Sequence, residues 1–161
     1  VVAMNLMGLA TEAEARGVLS AYQAAIAIGI LTGGVLAERY GRHGLTAAVA
    51  LLGAAALLLL PPVLSPTGAL LFAIFIGSGF GFGIVLPARD LMVRAITPPG
   101  ASGRVFGFVF VGLSIGSGAS GPIFGQLVDA GLQNWLFPIA GVLLVTAVII
   151  TTLAQIAAHK Q

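Results

Sequence analysis

Gly34-Val35-Leu36-Ala37-Glu38-Arg39-Tyr40-Gly41-Arg42-His43 places an acid, two arginines and a histidine within residues 38–43. Uncharged apolar sequence flanks this cluster on both sides, over 17–37 and over 44–88. Charged side chains enter hydrocarbon only at a cost of roughly 3 kcal/mol each. A charged cluster tied to two apolar runs therefore marks a reversal of the chain at a membrane surface.

Composition agrees. Hydrophobic residues make up 58% of the 161-residue chain and charged residues 7%, against about 45–50% and 25% in soluble domains. The mean hydropathy is +1.09. Too few charges exist to form the polar skin of a soluble domain this size. The pI of 9.7 rests on a net charge of +2 and signals no nucleic-acid partner, since there is no basic stripe with interleaved aromatics. The absence of cysteine excludes disulfides, a thiol nucleophile and Cys-based metal sites. His43 and His159 sit beside basic residues at helix ends and read as solvated surface groups, so no metal site is expected.

Outward from the turn, helix breakers and charges divide the apolar sequence. A partial helix over 1–9 leads through a polar link, Thr11-Glu12-Ala13-Glu14-Ala15-Arg16, to a first full span at 17–37. The uncharged run 44–88 is too long for one crossing. Pro61-Pro62 and Ser65-Pro66-Thr67-Gly68 split it into spans near 44–62 and 68–88. Further spans are expected near 104–128 and 135–157. These segments must be helices, because lipid leaves an open strand edge unpaired and they are too few for a closed barrel. The expectation is an all-α, polytopic membrane helix bundle of five complete spans plus a stub. Residues 1–11 amount to about half a crossing at 1.5 Å per residue, so the chain reads as a fragment.

Alternating spans put the 38–43 turn, the 89–104 stretch and the C-terminal tail on one side. That side holds Arg39, Arg42, Arg89, Arg94, Arg104 and Lys160; the other holds only Arg16. Six basic residues against one make the former side, and the C-terminus, cytoplasmic.

A cytoplasmic turn of the form Gly-x-Leu-Ala-Asp-Arg-x-Gly-Arg-Lys between two membrane helices resembles the major facilitator superfamily of transporters. Gly34, Leu36, Ala37, Arg39, Gly41 and Arg42 match it; Glu38 stands for the acid and His43 for the lysine. The resemblance implies two six-helix halves, with such a turn between helices 2 and 3 and between 8 and 9. On that count the chain, 1–161, is the C-terminal six-helix half of a twelve-helix transporter, from part of helix 7 to helix 12. Its partners are then membrane lipid, a small-molecule substrate and an N-terminal half of the same protein, absent from this sequence. The segments around Pro87-Ala88-Arg89-Asp90, Val105-Phe106-Gly107-Phe108 and Gly121-Pro122-Ile123-Phe124-Gly125 look similar to bacterial drug-efflux members, including fosmidomycin-resistance-like exporters. Monocarboxylate transporters share the Gly-Pro-x-x-Gly segment and a following acid, Asp129 here. The resemblance thus points to secondary transport of small organic solutes across a bacterial inner membrane, exported against protons. A monocarboxylate or sugar carrier, or a membrane scaffold that transports nothing, is the alternative.

Candidate site residues fall into three groups. Gly34, Glu38, Arg39, Gly41 and Arg42 form a gating turn. Glu38 can cap a neighbouring helix, whose dipole favours an anion at that end, while Arg39 and Arg42 can pair with Asp90. The resemblance implies that this latch holds the cytoplasmic side closed. Gly77, Gly79, Gly81 and Gly83 alternate along one span, 77 and 81 on one face and 79 and 83 on another, and read as packing or hinge positions. Gly121, Pro122 and Gly125 form a similar set; it resembles the antiporter motif of the family's fifth helix, but it lies in the eleventh and Gln126 stands where a second glycine is expected, so it does not imply antiport. Asn5, Tyr22 and Gln23 are cavity candidates, since buried polar groups in a bundle face its interior. Phe80, Phe82, Phe106, Phe108 and Phe110 can supply an apolar wall.

Gly116-Ser117-Gly118-Ala119-Ser120-Gly121 spells a dinucleotide fingerprint, but no strand precedes it and no acid follows at the required distance. No catalytic triad, zinc spacing or phosphate loop occurs. Neither an enzyme nor a cofactor is expected.

Overall fold

A computed structural model describes residues 2–40, 43–95 and 97–158. Its helices are α1 (Val2–Leu6), α2 (Glu12–Tyr40), α3 (His43–Leu58), α4 (Pro61–Leu64), α5 (Gly68–Ala95), α6 (Ser102–Asp129) and α7 (Leu136–Ala158), with a 3-10 turn at Gln133–Trp135. No strand occurs among the described residues. Among the described residues, five segments are long and apolar enough to cross a membrane: Glu12–Arg39, Gly44–Leu64, Gly68–Ala95, Ser102–Asp129 and Gln133–Ile150.

Several helices extend beyond the apolar runs that announce them. α2 begins at Glu12 because Thr11 and Glu14 form a capping box. The Thr11 N–H donates to Glu14 Oε2 at 2.9 Å, its hydroxyl donates to the same oxygen at 2.8 Å, and the Glu14 N–H donates to Thr11 Oγ1 at 3.3 Å. α5 runs through Pro87 to Ala95, so Arg89, Asp90 and Arg94 lie on its last turns rather than in a loop. The long arginine stems let such turns stay helical while their charges reach water. α1 stops at Leu6, short of residue 9, because Gly8 adopts φ 69° and turns the chain, a conformation that costs glycine nothing.

Glycine contacts give the register of the bundle. A Cβ on Gly17 would meet Phe72, one on Gly79 would meet Tyr22, and one on Gly33 would meet Ile84 and Pro87. Residue numbers rise together, so α2 and α5 run parallel and their ends, bearing Arg39, Arg89 and Arg94, lie at one end of the bundle. Gly77 faces Leu57 and Gly81 faces Ala50 and Ala54, which makes α3 antiparallel to α5. α7 packs on α3, with Gly141 against Leu59. The apolar core gathers at the opposite end, where Met4, Leu9, Ala15, Val18, Leu71, Ile74 and Phe75 are buried together. Phe75 there meets Tyr22 and Phe137 edge-on, at ring separations of 6.2 and 5.8 Å.

α6 stands apart. None of its described residues is buried. A Cβ added at Gly103, Gly107, Gly112, Gly116, Gly118, Gly121 or Gly125 would meet nothing within 4 Å. A crevice is left between α6 and the layer made by α3, α5 and α7.

Candidate functional site

The foundation of the site is the α2–α5 interface, the most extensive helix pairing in the bundle. Its backbones touch. A Cβ on Gly83 would overlap the Ile26 carbonyl oxygen, and one on Gly29 would overlap that of Phe80. A Cβ on Gly79 would lie 2.6 Å from the Tyr22 oxygen, and one on Gly33 would lie 2.7 Å from Ile84 Cα. Gly79 and Gly83 thus face α2. Gly77 and Gly81 face α3, where an added Cβ would come within 2.9 Å of Leu57 Cδ1 and of the Ala50 oxygen respectively. Small residues permit this approach, and it sets the rotation of α5, turning Ser78 and Phe82 toward the crevice.

Two cavities occupy that crevice. The larger, about 570 Å³, is walled by Tyr22 of α2, Ala54 and Leu58 of α3, Ser78 and Phe82 of α5, Gly116, Ser117, Ser120 and Phe124 of α6, and Ala140, Leu143 and Leu144 of α7. The smaller, about 250 Å³, shares Phe82 and Leu144 with it and extends toward the arginine-bearing end through Val85, Leu86, Arg89 and Met92. The two lie end to end along α5. Hydroxyls and aromatic rings line the larger one, and no charged side chain does.

Of the three cavity candidates from the sequence, Tyr22 lines the larger cavity. Asn5 lines a separate cleft of about 330 Å³ with Thr11, Glu14 and Thr67, where its side-chain amide donates to the Ala10 oxygen at 3.4 Å. Gln23 is exposed and lines none of these. Of the five phenylalanines, Phe82 is in the cavity wall, whereas Phe80, Phe108 and Phe110 are exposed and line neither crevice cavity. Ser78, Ser117 and Ser120 are among the few polar residues of the spans, which in a bundle tend to face the interior or a cavity, but the sequence alone does not group all three. The spacing of 117 and 120, together with Gly116 and Phe124 on one helical face, is the signal it does carry.

The chain matches the family model of the Major Facilitator Superfamily over residues 2–159. The chain belongs to the Major Facilitator Superfamily. No curated protein and no solved structure matches it. As a superfamily member it is a membrane transporter, in a family typically of transporters rather than enzymes, and its apolar helices make it an integral membrane protein.

The acid–arginine stretch closes α2. Gly34 sits on α2 with open space around it, and Glu38 and Arg39 are exposed at its last turn. Gly41 and Arg42 lie outside the described residues. Asp90 is engaged by its neighbour: Arg89 donates to Asp90 Oδ1 from Nε at 3.0 Å and from Nη2 at 2.8 Å. Both side chains are part-exposed, at 26% and 44%, so the pair contributes about 0–1 kcal/mol. Gly121 and Gly125 face open space, and α6 remains helical through Pro122.

Proposed function

We propose that the chain is the C-terminal half of an alternating-access carrier that exports small organic solutes against protons across a bacterial inner membrane. Its C-terminus is cytoplasmic, and the acid–arginine turn with Asp90 acts as the cytoplasmic latch. The observation that carries this reading is the larger cavity: a half-open, mostly apolar space with a few hydroxyls, of a size suited to organic ligands, among membrane-spanning helices. A packing scaffold has no use for such a space. The gathering of Arg39, Arg89 and Arg94 at one end supports the orientation through the positive-inside rule. The glycine-locked α2–α5 pair supports movement of these helices as one body, as alternating access requires.

A monocarboxylate carrier would need a cation against the carboxylate. Of the residues lining the two crevice cavities, Arg89 alone is cationic, and Asp90 already neutralises it. Within this half of the carrier, that favours less polar solutes.

The test uses everted membrane vesicles containing the full-length protein and a panel of neutral and charged aromatic tracers. The expected result is accumulation of at least one tracer, abolished by an uncoupler. Equal tracer levels with and without the protein would refute transport. Accumulation indifferent to the uncoupler would refute proton exchange.

A further inference from the structure

The smaller crevice cavity joins an apolar wall to a single guanidinium. It holds about 250 Å³ and is half-open. Residues of α3, α5, α6 and α7 line it, and all but Arg89 are apolar. Along α5 it runs from Phe82 to Met92, about 15 Å at 1.5 Å per residue. That is the depth of one leaflet, half of a ~30 Å hydrocarbon core. Its Arg89 end lies on the last turns of α5, which closes at Ala95, so the slot starts at the membrane surface and ends near the midplane.

The charge at that surface is positive. Arg89 donates to Asp90 Oδ1 from Nε and Nη2. A guanidinium carries five N–H groups, so three remain, and the side chain is 26% exposed. Asp90 cancels the charge of Arg89 but not that of its neighbours. Gly33 lies against Ile84 and Pro87, so Arg39, six residues further along a parallel helix, is level with the last turns of α5. Arg104 opens α6 at the same end, just past the link from Ala95. Arg39, Arg94 and Arg104 form no ion pair among the described residues. Glu38 is the other side-chain carboxylate at this end, and a positive surplus remains.

An apolar slot one leaflet deep, opening on hydrogen-bond donors in a positive field, suits an amphiphile with an anionic head. A small anion would leave the slot empty, and a neutral hydrocarbon would leave the guanidinium unused. We propose that one anionic phospholipid, from the leaflet on the arginine-bearing side, binds here with an acyl chain in the slot and its phosphate oxygens accepting from Arg89. Arg39, Arg94 and Arg104 attract the headgroup through the surface potential. The inference goes beyond the carrier reading and stands whether or not the chain exports a solute.

The test is native mass spectrometry of the purified full-length protein in detergent. The probes are dioleoyl phosphatidylglycerol, dioleoyl phosphatidylcholine and soluble glycerol phosphate. The anionic lipid is expected to bind roughly tenfold more tightly than the zwitterionic one, and glycerol phosphate to show no binding at lipid concentrations. Arg89→Gln is expected to weaken the anionic lipid about tenfold, the worth of a charge-assisted hydrogen bond. Asp90→Asn is expected to strengthen it, because the guanidinium is released. Ala48→Phe fills the slot without altering a charge and is expected to remove the preference for the anionic lipid. Ala147→Phe, at an exposed position of the α7 wall, carries the same expectation and serves should Ala48→Phe not fold. Four results overturn the proposal. Both lipids bind equally; glycerol phosphate binds as tightly as the lipid; Arg89→Gln and Asp90→Asn shift binding in the same direction; or neither phenylalanine alters it, which would mean that surface charge alone holds the lipid or that the rest of the protein fills the slot.

Discussion

Replacing Gly83 with alanine tests the packing on which the site stands. The new methyl would overlap the Ile26 carbonyl oxygen and lie 2.8 Å from Gly29 Cα and 3.0 Å from Gly29 C. All three are backbone atoms, so no side chain can swing aside. Restoring ordinary contact requires α2 and α5 to separate by ~0.5–1 Å. A gap of that size forfeits a quarter to a half of each dispersion contact along the seam, at ~0.1–0.2 kcal/mol per atom pair. With some twenty to thirty pairs affected the loss is ~1–2 kcal/mol, inside the usual overpacking range of about 1–3 kcal/mol. Alanine's better helix propensity returns less than about 1 kcal/mol. Gly53→Ala on α3 is the control, because nothing lies within 4 Å of its added Cβ; only the propensity gain should appear. The assay is thermal unfolding in detergent, read from Trp135 fluorescence. Gly83→Ala should unfold earlier than the parent, and Gly53→Ala at or above it. Gly29→Ala and Gly83→Ala should also combine non-additively, since each methyl strikes the other's backbone. Equal midpoints for Gly83→Ala and Gly53→Ala would refute the close-packed seam.

Further expectations concern the helix ends and the latch. Thr11→Ala removes the capping box of α2 and should cost about 1 kcal/mol; an unchanged unfolding midpoint would contradict it. The chain has no cysteine, so single cysteines placed at Arg94 and Gln133 should react with an impermeant maleimide from opposite faces of the cell membrane, Gln133 from outside. Labelling of both from outside would reverse the proposed topology. Asp90→Arg and Arg42→Asp should each impair transport and the double swap should restore it; a double mutant as poor as the singles would remove the latch pairing. Asp90→Asn should shift stability by less than about 1 kcal/mol, because its pair with Arg89 is part-exposed, and a larger loss would show that Asp90 has a weightier partner.

The spans, their number and the reversals between them were legible in the linear chain. They follow from hydropathy and charge, which each segment carries whatever it touches. The acid–arginine stretch at 34–43 was legible for the same reason, and its resemblance to a family signature pointed to the superfamily that the chain matches. Helix extents were partly hidden, since α2 starts at a capping box and α5 carries its arginines on helical turns, both outside the apolar runs. Only the tertiary structure decided which face of each helix points inward. A membrane helix is apolar all round, so its periodicity does not distinguish a lipid-facing side from a cavity-facing one. Tyr22 and Gln23 are adjacent and polar, yet one lines the larger cavity and the other is exposed. Ser78 becomes a cavity residue because backbone contacts at Gly79 and Gly83 fix the rotation of α5 against α2. That rotation is set by atoms some fifty residues apart in the chain, a relation that no local pattern records.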